Sequence, residues 1–113
     1  MFNSLINVAS DSRNNIQVNA INLIVELEIR EGYSALDISS ASTKQIIIKK
    51  PDDSVITNTT GFSTDGKDGL IYYKTVTGDL SVSGTYEVQG YIVMATFTGY
   101  STINTFEVYD NLS

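Results

Sequence analysis

Between Ile16 and Val108, apolar and polar side chains alternate along the chain with a period of two. This spacing turns one side of an extended strand toward a core and the other toward water. The longest run holds Ile16 and Val18 and then, past Asn19-Ala20, continues with Ile21, Leu23, Val25, Leu27 and Ile29 on one parity, which predicts a core strand over 16–29. Asn22, Glu26 and Glu28 share the opposite parity with Ile24, so that face is wet except at Ile24, which is left to meet the N-terminal segment or a partner. A second run puts Leu80, Val82, Gly84, Tyr86, Val88, Gly90, Ile92 and Met94 on one side, against Glu87, Gln89 and Tyr91 on the other. The strand itself is expected to start at Thr85, with Leu80 plugging the end of the core ahead of it. Gly90 inside that strand implies a bulge or close packing beneath a large neighbour such as Phe106. The last strand, 100–109, is expected to return across a hairpin at 95–99 with Phe106 and Val108 inward.

The segments between these runs read as shorter strands and turns. Gly32 to Ser42 is a loop with Leu36 and Ile38 pointing inward, and 37–41 has the composition of a helical turn. Ile46-Ile47-Ile48 is apolar on both faces, which means a strand covered on both sides or an edge with a partner. Lys50-Pro51-Asp52-Asp53 turns the chain into a return strand with Val55, Thr57 and Thr59, and 64–69 closes a hairpin between Phe62 and Leu70. At the N-terminus, 1–12 reads as an arm or short edge strand, with 13–113 as the main domain. Phe2, Leu5, Ile6 and Val8 are either a contact element for a neighbour or part of a first strand folded on its own domain. The total is seven or eight short antiparallel strands and no helix. Two facing sheets, an all-β Greek-key β-sandwich, bury that pattern most simply.

Composition narrows the chemistry. Val, Ile and Thr make up about 30% of the 113 residues, and their stiff side chains favour strands. The chain has no His, Cys or Trp, which removes the usual general base, any thiol nucleophile, any disulfide and most transition-metal ligands. The expectation is therefore a protein that is not an enzyme, with no catalytic, cofactor or metal site. Asp52 with Asp53 and Asp65 with Asp68 read as turn formers, since neither pair has the six or so oxygen ligands that Ca²⁺ needs. Glu26, Glu28 and Glu87 specify no acid and base pair. A net charge of -6, with basic residues dispersed except at Lys49-Lys50, disfavours nucleic acid. The first ten residues lack the basic head and apolar run of a secretion signal, and no apolar stretch approaches a membrane span, so no membrane partner is expected.

Leu80-x-Val82-x-Gly84-x-Tyr86-x-Val88 resembles the tyrosine corner of immunoglobulin-like and fibronectin-type sandwiches, in which a Tyr entering a strand hydrogen-bonds back to the preceding arch. Leu80, Gly84 and Tyr86 are the expected structural corner, the alternative being a half-exposed strand tyrosine. Val88 stands where an immunoglobulin domain would carry its second Cys. Tyr33, Tyr91, Tyr100 and Tyr109 have polar neighbours and suit a protein interface or a sugar site, or simply populate sheet faces. Tyr91 and Tyr109 join Phe2, Leu5, Ile6 and Val8 as the expected interface residues.

Three motifs, in order, carry a wider resemblance: Lys49-Lys50-Pro51-Asp52-Asp53, then Thr64-Asp65-Gly66-Lys67-Asp68-Gly69, then Gly84-Thr85-Tyr86. Together they resemble the small immunoglobulin-like domains of tailed-phage virion proteins, notably the N-terminal domain of baseplate upper proteins, over Val18 to Val108. In the first motif, Asp53 stands where that family usually has glycine. The resemblance implies a structural module, assembled into the virion in the host cytoplasm and present in multiple copies, that docks on other virion proteins of the head, neck or tail. The larger baseplate proteins continue into fibre or receptor-binding regions, for which a chain ending at Ser113 leaves no room, so the expectation is a single docking module. A host-surface or carbohydrate-binding module displayed on the particle is the alternative.

Overall fold

Alternating β-branched and polar residues, punctuated by Gly, Asn and Asp at turns, produce strands throughout. In the computed structural model the described residues are 2–9, 16–95 and 97–110, the first segment by its backbone alone. The strands are β1 (Phe2–Ala9), β2 (Ile16–Gln17), β3 (Ile24–Glu31), β4 (Ser34–Ala35), β5 (Thr43–Lys49) and β6 (Val55–Thr59). They continue with β7 (Gly61–Phe62), β8 (Leu70–Lys74), β9 (Gly84–Met94), β10 (Phe97–Tyr100) and β11 (Asn104–Tyr109). One sheet runs β1-β3-β8-β7 with β4 also on β3, and the other runs β2-β11-β9-β5-β6 with β10 also on β9. With β3, β8 and β7 in one layer and β5, β9 and β11 in the other, the order is that of an immunoglobulin-type Greek key.

The core lies between the layers and is almost wholly aliphatic. Val25, Leu27, Ile29 and Ile71 of the first sheet meet Ile46, Ile48, Val88, Ile92 and Val108 of the second, and Ile38 and Leu80 enter from loops. Burying each such side chain is worth about 1.5–3 kcal/mol, so aliphatic packing supplies what an inter-sheet disulfide and a buried Trp supply in antibody domains.

The all-β sandwich expected from the alternation is the fold the chain adopts, but several details differ. Among the described residues there are eleven strand segments rather than seven or eight, three of them two residues long, and β2 pairs with β11 in parallel. The expected strand over 16–29 is broken: Asn19 and Asn22 take φ of 70° and 61°, and the chain crosses from one sheet to the other between them. Asn tolerates this left-handed conformation better than most residues. Both are held there by backbone bonds, Asn19 N donating to Leu80 O at 2.7 Å and Asn22 N to Thr75 O at 2.8 Å. As a consequence Ile21 is exposed, although it shares parity with the core. The 37–41 segment forms a simple turn, with Ala41 N donating to Ile38 O at 2.9 Å, not a helical one.

The expected final strand is also divided. β10 pairs with the far half of β9 and β11 with the near half, so Gly99 lies within a strand opposite Ile92. Ser101 makes the jog between them: its N donates to Gly90 O, its Oγ accepts from Gly90 N, and its carbonyl accepts from Gln89 Nε2, all within 2.8–2.9 Å. Gly90 is indeed a close-packing position, but its neighbours are Ile29, Leu27 and Ser101 rather than Phe106. A Cβ built there would lie 3.1 Å from Ile29 Cδ1.

Candidate functional site

The corner residues form one structural unit. Tyr86 is fully buried, its hydroxyl donates to Val82 O at 2.6 Å, and its ring stacks on Phe106 with centroids 5.2 Å apart. Burial pushes the phenol pKa up, opposed by the bond to Val82. Gly84 sits at φ 131°, where a Cβ would come within 2.9 Å of Pro51 Cγ, so the start of β9 is pressed against the β5–β6 turn. Leu80 is buried in the same core and its carbonyl accepts from Asn19. These residues shape the sandwich and offer no surface to a partner.

The expected interface residues do not converge. The backbone of 2–9 forms edge strand β1, antiparallel to β3 from Phe2 opposite Glu31 to Ala9 opposite Ile24; the side chains of Phe2, Leu5, Ile6 and Val8 lie outside the described residues. Tyr91 and Tyr109 are both on the second sheet, at opposite ends of its outer face. Eight residues of strand separate the level of Tyr91 from that of Tyr109, which is about 27 Å. Tyr91 instead pairs with Tyr100, ring centroids 4.6 Å apart, and Tyr100 is more than half exposed. Tyr33 stands alone at the β3–β4 tip, 99% exposed.

What the sequence reasoning missed is an apolar patch on the outer face of the second sheet. Ile47, Val55 and Ile103 line a shallow open depression of about 170 Å³, rimmed by Lys49, Glu87 and Gln89. Val55 and Ile103 are more than half exposed. Ile47, the middle residue of the isoleucine triplet, was the available signal: it points away from the core that holds Ile46 and Ile48. Beside this patch, β6 closes the sheet with β5 as its one pairing partner among the described strands.

The acidic groups are engaged locally. Asp37 and Asp52 each accept from the hydroxyl and the backbone N–H of the serine two residues on, and Asp68 accepts from Thr64 and from Leu70 N. These bonds hold all three carboxyls below their usual range. Glu28 pairs with Arg30 at 2.7 Å, Glu26 accepts from Ser63 Oγ at 2.7 Å, and Glu107 accepts from the Thr85 hydroxyl. Asp79 is buried, accepting from the Tyr73 hydroxyl and from Val76 N, and this tie closes the loop after β8. Among the described residues no three potential metal-ligating side chains come together. What the described surface offers is an open sheet edge at β6 beside an apolar depression. The chain matches no family model, and no curated protein shows significant similarity to it.

Proposed function

We propose that this protein is a non-enzymatic structural component of a tailed-phage virion, docking on neighbouring virion proteins through its sheet edges and the outer face of its second sheet. The observation that carries this reading is the pairing of an open edge at β6 with the adjacent Ile47, Val55 and Ile103 patch. Free backbone groups there can extend a partner's sheet while the patch buries apolar area. The sequence resemblance supports it in a specific way, because its three motifs fall on the β5–β6 turn, the β7–β8 hairpin and the start of β9, three corners of the sandwich. Position on the head, neck or tail follows from whichever protein the edges meet. The test is protein identification on washed, purified particles of the phage that encodes the chain. The proposal expects it in fixed stoichiometry with a known virion protein; a chain made in infected cells but missing from the particles contradicts it.

A carbohydrate-binding role is the second reading, favoured by the Tyr91–Tyr100 pair. The two rings lie together on the outer face, with Gln45 opposite Tyr91 in the ladder. Glycan-array binding lost in Tyr100→Ala would support it, and an array blank for the native chain would remove it.

A further inference from the structure

The β5–β6 register fixes which backbone groups of β6 are free. Lys50 N donates to Ser54 O at 2.9 Å and Thr60 N donates to Lys44 O at 3.0 Å, with Ile48 opposite Ile56 and Ile46 opposite Asn58 between them. In an antiparallel ladder, successive residues alternate between turning both backbone groups toward the neighbouring strand and turning both away. Ser54, Ile56, Asn58 and Thr60 therefore face β5, while Val55, Thr57 and Thr59 send their N–H and C=O groups outward. No strand lies beyond them among the described residues. The edge also lacks the usual guards, for Val55-Ile56-Thr57-Asn58-Thr59 contains no charge and no proline.

From this geometry we infer that β6 pairs with β6 of a second copy of the chain, antiparallel about a two-fold axis through Thr57. This goes beyond the docking role proposed above and holds or fails independently of it, since it concerns two copies of one chain in solution. Three features favour a second copy as the occupant. Thr57 opposite Thr57 and Val55 opposite Thr59 use every outward group of both strands and leave none unpaired. The side-chain pairs so formed are Thr with Thr and Val with Thr, which suit adjacent strands. The same register brings the acidic tip Asp52–Asp53 of each copy level with Gly61 and Phe62 of the other, where Lys44 Nζ sits 4.5 Å above the Phe62 ring. Negative and positive groups then meet at both ends of the contact. The two six-stranded sheets become one of twelve, with the Val55 side of the apolar patch running toward the seam.

The chain has no cysteine, so a single introduced one reports the contact cleanly. Residues opposite each other in a hydrogen-bonded antiparallel pair have Cα atoms about 5.5 Å apart, within disulfide range. The full chain is followed by sedimentation velocity over a concentration series, together with Thr57→Lys, and Thr57→Cys is compared under mild oxidation with Thr105→Cys on β11. The expected results are a concentration-dependent rise of the native chain from 12.4 kDa to twice that mass and loss of this rise in Thr57→Lys, which sets like charges face to face. Covalent dimer should form in Thr57→Cys well ahead of Thr105→Cys. A native chain that stays monomeric to its solubility limit, a dimer that survives Thr57→Lys with the fold intact by circular dichroism, or equal trapping at 57 and 105 overturns the inference.

Discussion

The hydroxyl of Tyr86 and the carbonyl of Val82 lie 2.6 Å apart, joining the first turn of β9 to the loop that leads into it. Val82 packs against the core but is only half-buried, whereas the Tyr86 ring is fully enclosed and stacked on Phe106. Tyr86→Phe keeps the stack and removes the donor, leaving the Val82 carbonyl without its partner. The expected loss is about 1–3 kcal/mol in urea unfolding, with an unchanged m-value.

Asp53 provides a change in the opposite direction. It stands at φ 71°, a conformation a glycine adopts without steric penalty, and it ends the Lys50–Ser54 turn. Its ion pair with Lys49 is 3.7 Å long and exposed, and such pairs contribute little. Asp53→Gly should stabilise the fold by about 0.5–1 kcal/mol, read as a raised unfolding midpoint.

Gly69 and Gly78 separate crowding from conformation. Both have positive φ, 76° and 93°, but a Cβ at Gly69 would lie 2.4 Å from Ile29 O, a backbone atom of a core strand, while at Gly78 nothing lies within 4 Å. Gly78→Ala should cost about 1–2 kcal/mol, the left-handed penalty alone. Gly69→Ala should cost clearly more, because β3 or the hairpin must move; thermal or urea unfolding of the pair measures the difference.

Alkaline pH should weaken the fold through Tyr73. Burial, the hydrogen bond to Asp79 and that carboxylate's charge push its pKa up to about 12. An unfolded tyrosine ionises near 10, so the folded state holds the proton more tightly than the unfolded one. The stabilisation is complete below about pH 10 and disappears as the pH rises through about 12. Urea midpoints across this range should fall for the native chain and fall less for Tyr73→Phe, with Tyr86, also raised by burial, accounting for part of the remaining decline.

The sequence made the layers visible because parity reports burial: Val25, Leu27 and Ile29, and Tyr86, Val88 and Ile92, all face the core as their spacing requires. It concealed the crossing at Asn19–Asn22: the apolar positions shift from even at Ile16 and Val18 to odd from Ile21 onward, and that one-residue shift does not say that the chain changes sheets there. It also concealed the division at Ser101, which depends on one hydroxyl accepting from Gly90 N. The candidate surface was hardest to read. Tyr91 and Tyr109 share a face but not a neighbourhood, and the exposure of Ile103 and Val55 depends on which strands end the sheet, information that pairing contains and spacing does not.

The central claim, that this sandwich meets other proteins through its edges and outer face, is tested most directly by a side-chain-resolution map of the intact phage particle. The account predicts density for the two-sheet sandwich with neighbouring chains seated along β6, along β1 or over Ile47, Val55 and Ile103. A particle in which the chain is present but those surfaces all face solvent, with contacts made only by loop tips such as Tyr33, would contradict it.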